Sequence, residues 1–238
     1  MPCRWLVVLS VVACGSGPAE RADAPAPVVD AVDAVEDAAP DAMPDAVLGC
    51  QPTPLLVGSS DVVAQGWSVV TSGAAVLSYE GAYARLQTST GVNAISGQLL
   101  LMRTNAFELD QPFKVEIVMQ VDAVDPHDPF DAAAAILGSF TPPFGVGNQR
   151  EQMIYLDAAK LGWADDSASH AASVQDGADH VYQLSVDTDH VARVTVDGAA
   201  ALSRPAFTSN GTLAIGDQTN EPNLDSTLRI RSVTRLCP

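Results

Sequence analysis

Residues 181–202 read VYQLSVDTDHVARVTVDGAAAL, and this stretch decides the fold class. Tyr182, Leu184 and Val186 alternate with Gln183 and Ser185, and after the polar run Asp187 to His190 the apolar positions resume at Ala192, Val194 and Val196. A period of two puts each apolar set on one face of a half-buried strand. Asp197-Gly198 is a two-residue hairpin signal, because a type I′ turn needs positive φ at both central positions. The stretch predicts three antiparallel strands in a meander, with those six side chains facing inward.

The same period extends in both directions. In FKVEIVMQVDAV, residues 113–124, Phe113, Val115, Ile117, Met119 and Val121 share one face, with Val118 the apolar exception on the other. Further strands are expected around 67–70, 82–87, 98–103, 133–138, 152–157, 212–215 and 228–236. In the last, the apolar phase shifts between Ile230 and Val233, which predicts a bulge near Ser232. No segment from Cys50 onward shows sustained helical periodicity. Ten or more short strands separated by Gly, Pro, Asn and Asp predict an all-β, antiparallel β-sandwich or jelly roll, built as one domain over 50–238.

Taken together, PFKVEIVMQVDAV, YQLSVDTDHVARVTVDGAAAL, GTLAIGDQTN and LRIRSVTRL resemble, in order and spacing, the concanavalin A-like and laminin G-like jelly-roll superfamily. The resemblance covers most of residues 60–236. It implies a fold shared by lectins, glycan hydrolases, adhesion modules and accessory domains, so function must be argued from a site.

Upstream of Cys50 the chain changes character. MPCRWLVVLSVVACGSG, residues 1–17, carries Arg4 and then an apolar run from Trp5 to Ala13 broken only by Ser10. That run is too short to span a bilayer and suits a signal-peptide core over 1–13. Its end, Val11-Val12-Ala13-Cys14, resembles the lipobox of bacterial lipoproteins, which implies a lipidated Cys14 as the mature N-terminus and a lipid-anchored envelope location. Gly15 in place of Asp resembles lipoproteins exported to an outer membrane, periplasmic or surface-exposed. Residues 14–49 are nearly all Ala, Asp, Pro and Val downstream of Glu20, too poor in large apolar side chains to offset ordering entropy. They read as a disordered spacer, roughly 30 Å end to end as a coil and roughly 100 Å when extended. With Cys3 removed and Cys14 lipidated, Cys50 and Cys237 remain, and an oxidising compartment predicts a disulfide between them.

Charge narrows the choice of partners. Of 238 residues only 12 are Lys or Arg against 29 Asp or Glu, a net charge of −17, so an electrostatic grip on nucleic acid is excluded as a function. Glu80, Glu108, Glu116, Glu151 and Glu221 are scattered, without the closely spaced pair that retaining glycosidases need. Neither a Gly-x-Ser-x-Gly elbow nor a spare thiol is present. His127, His170, His180 and His190 lack metal-ligand spacing and read as surface residues.

Two loops are rich in hard oxygen donors, the chemistry calcium prefers. DAVDPHDPFDAA offers Asp122, Asp125, Asp128 and Asp131, and GDQTNEPNLDS offers Asp217, Asn220, Asn223 and Asp225; turn capping is the alternative role for such residues. For a saccharide, Trp163 is the best-placed aromatic face, with Tyr155 on the preceding strand, Arg150 nearby, and the irregular segment 141–149 as a cleft wall. The expected function is an anchored binding module for a glycan or a surface protein. The alternatives are a structural envelope domain without a ligand and a glycan-active hydrolase.

Overall fold

The computed structural model describes residues 50–88, 97–129, 131–142, 150–219, 221 and 224–238. The expected signal peptide and spacer, with Cys14, lie outside the described residues, as do Asn220, Asn223 and 143–149 of the expected cleft wall. The strands are β1 (Thr53–Val57), β2 (Ser68–Thr71), β3 (Val76–Glu80), β4 (Tyr83–Gln87), β5 (Leu99–Arg103), β6 (Phe113–Val124), β7 (Ala135–Leu137), β8 (Met153–Asp157), β9 (Lys160–Trp163), β10 (Ser169–Ala171), β11 (His180–Val186), β12 (Ala192–Val196), β13 (Ala199–Arg204), β14 (Leu213–Asp217) and β15 (Ser226–Leu236). They form an eight-stranded sheet, β13-β12-β11-β6-β15-β4-β3 with β1 joined to β15, and a seven-stranded sheet, β10-β9-β8-β7-β14-β5-β2. One apolar core draws on both sheets, which makes the domain a β-sandwich.

The opening stretch forms β11, β12 and β13 as the alternation predicts. Tyr182 pairs with Val196 and Val186 with Ala192, and all six inward side chains are buried. Asp197 and Gly198 take φ of 51° and 80° between the paired residues Val196 and Ala199, as a type I′ turn requires. β6 alternates buried with half-buried positions along most of its length, Val118 among the latter. The β15 register against β6 slips between Ile230 and Ser232, so that Ile230 and Val233 both enter the core. Cys50 and Cys237 are bonded, with Cα atoms 5.6 Å apart. Closing a loop this long stabilises by at most about 5 kcal/mol in the chain-entropy model.

The seven-stranded sheet obeys a different rule. β8 and β14 are buried at every position. Ile154, Leu156, Leu213 and Ile215 face the main core, while Met153, Tyr155 and Ala214 face a second apolar layer with Leu100, Leu137, Phe140 and Ala164. Ala132 and Phe140, from the segments flanking β7, help to roof this outer face. A sheet buried on both faces shows a continuous apolar run instead of alternation.

His180, the first residue of β11, braces the hairpin turn. Its Nδ1 lies 2.7 Å from Asp197 Oδ2 and its Nε2 lies 3.0 Å from Asp176 Oδ1, while the Val181 N–H donates to Asp197 Oδ1 at 2.9 Å. Burial works against a charged imidazole here, but the bonds to Asp197 and Asp176 outweigh it and raise the His180 pKa above 6.5. Asp176 is held below its ordinary 3.8 by the Ala178 N–H and by His180. Asp197 is also lowered, because the Val181 N–H and His180 overcome its burial.

The two directions define a pH window. A raised His gives stability that is full below its unfolded pKa and is lost as pH rises through the folded value; lowered Asp residues lose theirs as pH falls. The trio therefore contributes most between about pH 4 and 6.5. Histidine NMR titration should place the His180 midpoint above 6.5, and Asp197→Asn should bring it down. A wild-type midpoint at or below 6.5 would show that the pairing is absent. Val194→Ala, at a side chain 1% exposed, should lower unfolding free energy in denaturant by about 1–3 kcal/mol, and a change within error would remove the ribbon from the core.

Candidate functional site

At one end of the seven-stranded sheet the two acidic loops meet. The sharp step comes at Gly216, in β14, where φ is +133° and a Cβ would lie 2.3 Å from the Leu99 carbonyl oxygen. Only glycine lets β14 pass so close to β5, and the next residue, Asp217, is fully buried. Across from it, the segment after β6 is stapled to the start of β15. The Asp125 N–H donates to the Asp225 carbonyl at 2.9 Å, and the Asp225 N–H donates to Asp125 Oδ2 at 3.0 Å. Asp131 is fixed by its N–H to Asp128 Oδ1 at 2.8 Å, and its Oδ1 accepts from Gln218 Nε2 at 3.1 Å.

Asp217 stands out electrostatically. Its Oδ1 accepts the Thr219 N–H at 2.9 Å, but buried Oδ2 has no hydrogen-bond partner. Burial pushes its pKa up to about 8, against the Thr219 N–H and the Thr88 hydroxyl, and Asp225 and Asp131 add to the rise. Beside it, Gln218 Oε1 and Ser226 Oγ are also buried without partners. Three oxygens that can accept are thus concentrated where two loops converge. Among the described residues, no three His, Cys, Asp or Glu side chains close into a metal cage. The donors present are carboxylate, amide and hydroxyl oxygens, which suit calcium or magnesium and not zinc.

The aromatic residues are placed otherwise than expected. Tyr155 is 1% exposed and packs on the outer face of the sheet, where Gly162 leaves room for its ring. His127 stacks on it at 3.4 Å between centroids, with Nε2 2.8 Å from Asp166 Oδ1 and the His127 N–H donating to Asp157 Oδ1 at 2.9 Å. The surface position expected for His127 is therefore corrected, since its side chain is 6% exposed. Lys160 lies 5.5 Å from the Tyr155 centroid and 3.5 Å from Asp157 Oδ2, so that charged groups fill the space around the phenol. Burial raises the Tyr155 pKa. Tyr155 is a wall of the second core and offers no open face.

Arg150 begins a single 3-10 turn, Arg150–Gln152, and donates from Nη2 to the Ala164 carbonyl at 2.6 Å. It ties the end of β9 to the turn before β8. Trp163 is 0% exposed, so the exposed platform expected of it is also corrected. The reason lies in the strand phase: Leu161 and Trp163 share the inner face of β9, while Gly162 turns outward against Tyr155. The Arg204 guanidinium lies 4.9 Å from the Trp163 ring centroid, and Phe207 packs near it at 6.3 Å. Of the residues singled out in sequence, the structure brings Asp217, Asp225 and the Asp125–Asp131 loop together. It sets Trp163 and Tyr155 on opposite faces of one sheet. Thr88, Gln218, Asp165 and Arg204 were not singled out, because nothing local distinguishes them from other polar residues near strand ends.

No protein-family model and no curated protein matches the chain. Solved structures do. A carbohydrate esterase from the Shiga toxin-encoding bacteriophage phi24B is similar over 78% of this chain and 98% of its own, at 18% identity and a TM-score of 0.52. The Emp47p carbohydrate recognition domain is similar over 78% and 94%, at 15% identity and a TM-score of 0.51. A protein of unknown function from Shewanella oneidensis MR-1 is similar over 77% and 84%, at 14% identity and a TM-score of 0.52. At such identities the likeness establishes the fold, and that fold is the concanavalin A-like jelly roll the strand pattern resembles.

Proposed function

We propose that the domain is a carbohydrate-binding module whose site is the acidic loop cluster, with calcium as its structural ion. The observation that carries this reading is the buried, unpartnered Oδ2 of Asp217, with Asp131 and Asp225 close enough to raise its pKa. A buried carboxylate oxygen without a hydrogen-bond partner is costly, and a divalent cation removes that cost while fixing the loops around it. Asp217 and Asp225 are the carboxylate ligands of the proposal; Asn220 and Asn223, the amide donors expected from the sequence of this loop, lie outside the described residues. Calcium would neutralise charge there and set the shape of the two loops. Asp131 and Gln218, already bonded to each other at 3.1 Å, then stand ready to bond sugar hydroxyls.

The fold neighbours support a glycan over other ligands, because one of them is a carbohydrate recognition domain and another a carbohydrate esterase. A surface protein is the second partner the same loops could meet, and a ligand-free structural role is the reading that the buried Trp163 and Tyr155 favour. A glycan array with the purified protein, run with calcium and again with EDTA, separates these. Calcium should raise the thermal midpoint and permit glycan binding, and Asp217→Asn should abolish both responses. Binding indifferent to calcium and to Asp217→Asn would place the site elsewhere; no binding under any condition would favour the structural role.

The tether belongs to the same proposal. A lipidated Cys14 followed by a 35-residue spacer would hold this module off a bacterial envelope membrane, at a distance set by the chain's extension. Cys14→Ser should move the protein from the detergent phase to the aqueous phase in Triton X-114 partition. Retention of the variant in the detergent phase would refute the anchor.

A further inference from the structure

A cleft of about 570 Å³ opens at the edge of the sandwich where β9 and the end of β13 come together, lined by Trp163, Arg204, Glu151, Asp165 and Ser167. It is separate from the acidic loop cluster, with which it shares no residue. Arg204 is its most constrained member. The guanidinium lies over the Trp163 ring, and Nη2 donates to Asp165 Oδ2 at 2.7 Å and to Ser167 Oγ at 2.8 Å. Arg204 keeps 14% of its side chain exposed while the indole beneath has none. Arg204 is therefore an outer layer and Trp163 the layer it covers.

That closed arrangement is incompletely bonded. Arg204 Nη1 and Trp163 Nε1 are both buried donors without an acceptor. The backbone beside them is also held in a disfavoured form, since Ala206 takes φ of 58°, a left-handed conformation that alanine, with a Cβ and no polar side chain, rarely adopts. Two unmet donors and a strained wall lower the cost of moving Arg204 aside. Its anchor is a single carboxylate and a hydroxyl, both bonded through one nitrogen, Nη2.

We propose that Arg204 is a displaceable cover and that Trp163 beneath it is the stacking platform of a saccharide subsite. The chemistry of the cleft selects the ligand. An indole face takes the C–H face of a pyranose, Glu151 and Asp165 accept hydrogen bonds from its hydroxyls, and the Trp163 N–H gains the oxygen acceptor it lacks. Two carboxylates against one guanidinium disfavour an anionic sugar, so the ligand is neutral. This rests on the reading of the domain as a carbohydrate binder, but it names a second site, with its own residues and its own failure.

The cover makes a prediction that a simple contact residue would not. A cover competes with the ligand for the ring, so removing it should strengthen binding; an Arg that bonds the sugar directly would weaken binding when removed. The test uses the purified protein with cellotetraose, maltotetraose and N-acetylchitotetraose as probes. It follows the Trp163 indole N–H resonance, assigned with Trp163→Phe, and acrylamide quenching of tryptophan fluorescence. Arg204→Ala should increase quenching and raise affinity for at least one probe several-fold, with the Trp163 N–H resonance shifting on titration. Ser167→Ala, which removes one of the two anchors of the guanidinium and none of the proposed sugar contacts, should move both readouts in the same direction and serves if Arg204→Ala does not fold. Unchanged quenching in both variants, lost or unaltered affinity, or no probe shifting the Trp163 N–H would overturn the proposal. Asp217→Asn separates the two sites: it should leave the effect of Arg204→Ala intact, and a glycan response that follows Asp217 but not Arg204 would retain the loop site and refute this one.

Discussion

The pairing of β6 with β15 is the contact on which the domain depends. These are its longest strands, at 12 and 11 residues, and they lie side by side within the eight-stranded sheet. β15 also receives β4 on its other side and β1 along its final residues, so one C-terminal strand joins elements from the beginning and the middle of the chain. Such long-range antiparallel pairing carries a large loop-closure cost before it is rewarded. The Cys50–Cys237 bond removes part of that cost by holding the two ends of the domain 5.6 Å apart at Cα. The bulge between Ile230 and Ser232 has a related role. It resets the phase of β15 so that Ile230 and Val233 both reach the core, beside a β6 that alternates from Phe113 to Val121.

The second constraint is the burial on both faces of the central strands of the seven-stranded sheet, β7, β8 and β14, and the candidate sites follow from it. A sheet with one wet face can present side chains to a ligand directly. Here the outer face is roofed by the segments that flank β7 and by Phe140, with Tyr155, Met153 and Leu137 beneath. The proposed ligand sites therefore lie at the ends and edges of the sheet. At one end, Gly216 brings β14 close to the Leu99 carbonyl and Asp217 emerges under the loops with its buried Oδ2 unbonded to any protein group. At the open edge, Trp163 closes the main core and Arg204 closes over Trp163.

This division also explains what was legible in the sequence. Alternation revealed the strands with one wet face: β6, β11, β12, β13 and β15 fall where the apolar period places them, and the Asp197-Gly198 turn and the β15 bulge follow from local chemistry alone. It revealed less about the other sheet. β9 and β10 are short, four and three residues, and carry too few positions for a period to show. Trp163 was misplaced for the same reason. In KLGWADDSASH the tryptophan precedes polar residues and looks like the start of a loop, whereas Gly162 puts it in phase with Leu161 on the inner face. Edge strands β1 and β3 escaped notice because their exposed faces carry Val57, Val76 and Tyr79, which blur the contrast between inside and outside.

Loop chemistry was legible in kind and not in arrangement. Each acidic loop can be read separately as a set of oxygen donors, but their meeting is a property of topology: β6 and β15 are neighbours, so the segment leaving one lies beside the segment entering the other. The bonds between Asp125 and Asp225 span 100 residues of chain and have no local signature. Nor could the sequence distinguish a capping carboxylate from an orphaned one. Asp128 caps the Asp131 N–H and is an ordinary turn residue in that respect, whereas Asp217, equally acidic and equally close to a turn, is buried by the glycine before it and the strand beside it. Burial, not identity, separates the two, because desolvation turns a carboxylate that water would satisfy into one that needs a proton or a cation.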